Sequence, residues 1–161
     1  MDKVYPFPIG NGKEDYQARK KFIVNFYANW TAINTTKHVF NKSLNGFIEL
    51  KHLSINETAG KAAYNYKSTL AVTFLTEILE NAKAKKDEKG NLVFEKPKEH
   101  VKNQERFSKI FTMFYEKPDF GKIKLTVGEL RGSKQRVQYC ITAIENDRIT
   151  RVVSHNYSVV M

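Results

Sequence analysis

The sequence predicts an α+β domain: an antiparallel β-sheet with helices packed on one face, preceded by an N-terminal helical extension. Two observations carry this. The stretch 122–145, KIKLTVGELRGSKQRVQYCITAIE, holds two runs of period-two alternation joined by a turn containing Gly128, Arg131, Gly132 and Ser133, the pattern of a β-hairpin. Upstream of it, apolar residues recur at three- and four-residue spacing in long blocks, the pattern of amphipathic helices. Helices in one block and strands in the next favour helices layered on a sheet over alternating parallel units.

Taken in order, residues 1–12 are punctuated by Pro6, Pro8, Gly10 and Gly12 and are expected to form an extended arm. From Lys13 to Trp30 a helix is predicted, with Phe22, Ile23, Phe26, Tyr27 and Trp30 on one stripe. Residues 31–42 are expected to hold a second short helix, broken by Asn45-Gly46, and 47–51 a strand. Ser54 and Glu57 have the S-x-x-E capping-box form, which places a short helix from about Ile55 to Gly60. Asn65 or Ser68 can cap the next helix, whose stripe Leu70, Ala71, Phe74, Leu75, Ile78, Leu79 and Ala82 is the clearest in the chain. Residues 83–106 are charged blocks around an apolar island at 92–94, read as a solvated connection or a protruding hairpin. The aromatic run 107–115 is a strand, followed by the hairpin and by one or two final strand segments at 149–153 and 157–160. Within one compact unit, 1–46 form the arm and helical extension and 47–161 the α+β domain.

The hairpin's alternation places Ile123, Leu125, Val127, Val137, Tyr139, Ile141 and Ala143 toward the helices. It leaves Lys122, Lys124, Thr126, Gln138, Cys140 and Thr142 on the opposite, polar face.

Lys and Arg number 27 against 17 Asp and Glu, a net charge of +10, which favours contact with a polyanion through counterion release at phosphates. The single cysteine, Cys140, excludes an intramolecular disulfide and fits a reducing cytosol. The first residues, MDKVYPFPIG, lack the apolar core of a signal peptide, and the apolar segment 70–79 is interrupted by threonines. A cytoplasmic protein with no membrane partner is therefore expected.

Phosphate-loop, dinucleotide-fingerprint, H-E-x-x-H, C-x-x-C and G-x-S-x-G patterns are all missing. No cofactor or metal is expected. What remains is metal-free acid–base and electrostatic chemistry, which suffices for RNA cleavage because the 2′-OH is an internal nucleophile. The polar face offers Lys124, Thr126, Gln138 and Thr142. Lys67 and Ser68 stand at the start of the main helix, where backbone N–H groups favour an anion, and His52 lies at the sheet–helix junction. His52, Lys67, Lys124, Thr126, Gln138 and Thr142 are thus the candidate catalytic residues. Ser68, Lys109, Thr112, Lys122, Arg131, Lys134 and Arg136 are the candidate nucleic-acid contacts. His38 and His155 carry no local signal, and His100 sits in the charged connection.

The segments IELKHLSINETAG, NYKSTLAVTFLTEILENAKA, FTMFYE and GKIKLTVGELRGSKQRVQYCITAIE, spanning about 47–145, resemble the large polyvalent protein-associated domains of phages and mobile elements. That group is assigned to the barnase/EndoU/colicin/RelE-type nuclease fold. The resemblance implies a sheet face that binds and cleaves RNA, with helices behind. It carries over to Lys67, Ser68, Lys124, Thr126, Gln138 and Thr142, and the lack of a paired-histidine arrangement favours a lysine/arginine-based mechanism. Two readings stand. One is a small phage or mobile-element protein that binds RNA, with or without cleaving it. The alternative is a non-catalytic module that docks a host or defence protein through Phe22, Phe26, Tyr27 and Trp30. A weaker third reading is single-strand binding through Phe107, Phe111, Phe114 and Tyr115 interleaved with lysines.

Overall fold

The structure, a computed structural model, describes residues 7–98, 101 and 103–144. His100, His155 and the expected strands at 149–153 and 157–160 lie outside the described residues.

Helix α1 (Lys13–Ile33) follows Gly12, whose N–H is bound by the Asp15 carboxylate at 3.1 Å. It buries Arg19, Ile23, Tyr27 and Trp30 at helical spacing, and each large apolar side chain so buried contributes about 1.5–3 kcal/mol. The short helix expected at 31–42 is instead strand β1 (His38–Asn41), paired antiparallel with β2 (Gly46–Glu49). Asn41 decides this: its buried amide donates to the Leu79 and Ala82 carbonyls and its oxygen accepts from Leu44 N–H, fixing the turn. A division at 46/47 therefore falls inside this hairpin.

Helix α2 (His52–Ala62) starts earlier than its S-x-x-E spacing suggests. Ser54 lies inside the first turn, its hydroxyl accepting Lys51 N–H at 3.0 Å, and Glu57 is free for other partners. Asn65 caps α3 (Tyr66–Val72) through Ser68 N–H at 2.7 Å. The long helix expected through Ala82 is broken into α3 and α4 (Leu75–Asn81). Thr73 turns its hydroxyl back onto the Leu70 carbonyl at 2.6 Å, and Phe74 leaves the helical track to meet Phe120 edge-on.

The remaining strands are β3 (Lys83–Ala84), β4 (Phe107–Lys117), β5 (Gly121–Leu130) and β6 (Arg136–Ala143), in a sheet of order β1-β2-β6-β5-β4-β3. The α+β class is as expected. The sheet is antiparallel except for a short parallel pairing of β2 with β6 at Ile48–Arg136 and Glu49–Val137. It curls so that its two edges approach: Ser43 Oγ accepts the Ala84 N–H at 2.9 Å. The main core joins α1, α3 and α4 to Ile48, Phe111, Met113, Ile123, Leu125, Val127 and Ile141. Arg19, fully buried, donates to the carbonyls of Pro8, Gly10, Ala63 and Tyr64, latching the arm at 7–10 onto α1 and the α2–α3 turn. No described helix is long and apolar enough to cross a membrane.

Candidate nucleic-acid interface

The hairpin alternation holds along β5 but not along β6. Thr126 pairs with Cys140 and Val127 with Gln138, so Tyr139 is an extra residue, a β-bulge. N-terminal to the bulge every side chain of β6 changes face. Gln138 turns into the core, where its oxygen accepts the Tyr27 hydroxyl at 2.7 Å and its nitrogen donates to Thr58 Oγ1 at 2.8 Å and the Ser54 carbonyl at 3.4 Å. Its assignment to the polar face is thereby corrected. Val137 and Tyr139, expected under the helices, instead join Phe107, Ile110 and Cys140 in a second small core, with Leu53 and Leu130 against it.

C-terminal to the bulge the outer face is as expected. Thr112, Thr126 and Cys140 stand in one cross-strand row and Phe114, Lys124 and Thr142 in the next. The segment from Glu95 to Lys98 and Gln104 walls these rows on one side, after Glu95 has exchanged both backbone hydrogen bonds with Ile110. Lys61 of α2 closes the other side. The result is a cleft of 230 Å³ in which Lys61, Lys96, Lys98 and Lys124 converge above Thr112, Thr126, Thr142, Tyr139 and Cys140, with Glu95 the one carboxylate in its lining.

At the α2 edge of the cleft, Glu57 binds the Asn103 amide at 3.1 Å and Lys61 at 3.7 Å. Burial, then the charge of Glu57 and a hydrogen bond to it, push the Tyr139 phenol up to about 12. Burial likewise raises the Cys140 thiol to about 11, although Lys61 and Lys124 pull the other way. Both groups keep their protons at neutral pH, so Cys140 is no thiolate nucleophile and Tyr139 is a donor.

Of the residues predicted from sequence, the cleft brings together Lys124, Thr126, Thr142 and Thr112. Lys122 lies one step along the same face, its ammonium 4.7 Å over the Phe114 ring. The others stand elsewhere. His52 is exposed at the first turn of α2. Lys67 sits over Phe120 at 5.3 Å, near the β4–β5 turn. Ser68 is buried, its hydroxyl accepting Ala143 N–H at 3.0 Å, which makes it structural. Lys109 and Arg136 flank Glu129 at 3.9 and 3.3 Å, and Arg136 also lies over Phe111. Arg131 and Lys134 are in the exposed β5–β6 turn, Arg131 held by the Glu105 carbonyl at 2.9 Å.

Lys61, Lys96, Lys98, Glu57 and Tyr139 escape sequence reasoning. The i, i+4 pair Glu57–Lys61 was a visible signal, but the two lysines at 96 and 98 look like ordinary solvated charge. Among the described residues no cluster of three or more His, Cys, Asp or Glu side chains is placed to hold a metal ion. No protein-family model matches the chain, and no curated protein or solved structure matches it either.

Proposed function

We propose that the chain binds RNA in the outer-face cleft, as a small basic protein of the metal-independent ribonuclease-like kind. The observation that carries this is the convergence of four lysines over three threonine hydroxyls in one concave site. Ammonium groups so placed neutralise phosphates, and the hydroxyls donate to phosphate or sugar oxygens. The net charge of +10 and the resemblance to phage and mobile-element domains of the barnase/EndoU/colicin/RelE type support the same reading.

Cleavage at this site would be a transesterification. The 2′-oxygen bonds to the adjacent phosphorus, its proton passes to the Glu95 carboxylate, and the 5′-oxygen departs with a proton from a lysine ammonium. The remaining lysines stabilise the charged transition state. Of the α1 aromatic stripe on which the competing docking reading rests, Tyr27 and Trp30 are buried, and Phe22 and Phe26 are partly buried.

The test is a labelled RNA incubated with the protein in EDTA, with affinity and products both read. Binding is expected to weaken at least tenfold in the Lys61→Ala/Lys124→Ala variant, a loss of about 1.4 kcal/mol or more, and products should end in a cyclic phosphate. Unchanged affinity in that variant would reject the cleft. Binding without products would reject the cleavage step alone.

A further inference from the structure

The β1–β2 hairpin, at one edge of the sheet, carries aromatic rings where a solvated edge would carry polar groups. Val39 and Ile48 face the core, and by alternation His38, Phe40, Phe47 and Glu49 face outward. Phe40 is 44% and Phe47 52% exposed, among the most exposed large apolar side chains of the described residues. Their rings meet edge-to-face at 5.5 Å, and His38 meets Phe47 likewise at 4.3 Å. Each edge-to-face contact covers part of one ring, and the half-exposed remainder of Phe40 and Phe47 is open to a further planar group. Through the pairing of Glu49 with Val137 this is the same sheet face as the lysine cleft.

A second feature adjoins it. Lys42, two residues beyond Phe40, is also part of a 510 Å³ cleft with Ser43, Asn81, Lys83, Ala84 and Lys86, formed where the curled sheet's edges meet. Three lysines and no carboxylate line it. At the opposite end of the hairpin stand Lys37 and Lys51, both exposed, against the single acid Glu49. Exposed aromatic rings between lysines match unpaired bases on a phosphate backbone, and match a protein or lipid surface less well. No aliphatic side chain shares the hairpin's outward face, and Lys37, Lys42, Lys51, Lys83 and Lys86 outnumber the acids beside them, Glu49 and Glu80.

We infer that Phe40 and Phe47 stack the bases of single-stranded RNA while Lys42, Lys83 and Lys86 hold an adjacent phosphate. This subsite rests on the RNA-binding reading above and makes it selective for unpaired RNA. A duplex keeps its bases in its own stack and gains nothing from the rings.

The experiment uses the full chain, a single-stranded oligoribonucleotide carrying 2-aminopurine, and a duplex of the same length. Phe40→Leu and Phe47→Leu keep an apolar surface but remove the rings, and an unchanged thermal transition checks that they fold. The inference expects each to weaken single-strand binding roughly tenfold, to leave duplex binding unchanged, and to abolish the quenching of the base analogue. The Lys61→Ala/Lys124→Ala variant should weaken both ligands yet keep the quenching at saturation. Leucine variants that bind and quench as the parent does overturn the subsite and leave the cleft standing. Leucine variants whose only change is self-association by light scattering overturn it in favour of a protein-docking face. A parent chain that binds neither ligand overturns both proposals.

Discussion

Gln138 separates the two accounts of β6 most sharply. If the side chain lay on the polar face, replacing it would touch ligand binding and little else. In the structure it is fully buried and ties β6 to two helices: to Tyr27 of α1, and to Thr58 and the Ser54 carbonyl of α2. Truncation in Gln138→Ala leaves the Tyr27 and Thr58 hydroxyls, both fully buried, without their amide partner. A buried polar group so orphaned costs about 1–3 kcal/mol. Because the Tyr27 and Thr58 hydroxyls also lie within hydrogen-bond reach of each other, the variant should lose about 1–3 kcal/mol of a domain stability of about 5–15 kcal/mol. Urea denaturation reads this as a lowered midpoint. Adding Tyr27→Phe to Gln138→Leu removes both ends of the strongest bond together, so the double variant should recover part of the loss, with a coupling of about 1 kcal/mol or more. RNA affinity measured well below the unfolding transition should not change. A loss under about 1 kcal/mol, or a fall in RNA affinity at parental stability, would refute the bulge assignment and the geometry built on it.

Three further expectations follow from the same contacts. Gly128→Ala would place a Cβ 2.5 Å from the buried Phe107 ring, so overpacking should cost about 1–3 kcal/mol in urea denaturation. In Arg19→Lys a single ammonium replaces a planar fork that reaches four carbonyls, and the loss should be about 2–4 kcal/mol, with the arm at 7–10 becoming protease-sensitive. The Cys140 thiol titrates at about 11 in the fold against 9.0 for an ordinary thiol, so the native state holds a proton the unfolded chain releases. Its contribution is complete below pH 9.0 and is lost as pH rises through about 11. Over that window the parent should lose about 2–3 kcal/mol more than Cys140→Ala in parallel denaturation series.

Class and layering were legible because they depend on periodicity, which α1, β5 and the α3–α4 stripe display in full. Three features were not. The bulge at Tyr139 inserts one residue into a pattern of period two, and the sequence VQYCITA alternates equally well without it, so Gln138 was assigned to the wrong face. The break at Thr73 and Phe74 depends on Phe120, 46 residues away, which no local stripe reveals. At 31–42, the tertiary hydrogen bonds of Asn41 to the end of α4 override local helical spacing. The candidate site divided along the same line. Lys124, Thr126, Thr142 and Thr112 lie on adjacent strands and follow from alternation, whereas Lys61, Lys96 and Lys98 reach the cleft only through tertiary folding.

The central claim is that the cleft's lysines neutralise RNA phosphates, and salt dependence tests it most directly. Affinity for single-stranded RNA, measured across a series of salt concentrations, should fall linearly on logarithmic axes for the parent chain. Removing two phosphate-contacting lysines in Lys61→Ala/Lys124→Ala should make that slope shallower by about 1.4. A parental slope in the variant would contradict the account, because the two ammonium groups would then displace no counterions from the RNA.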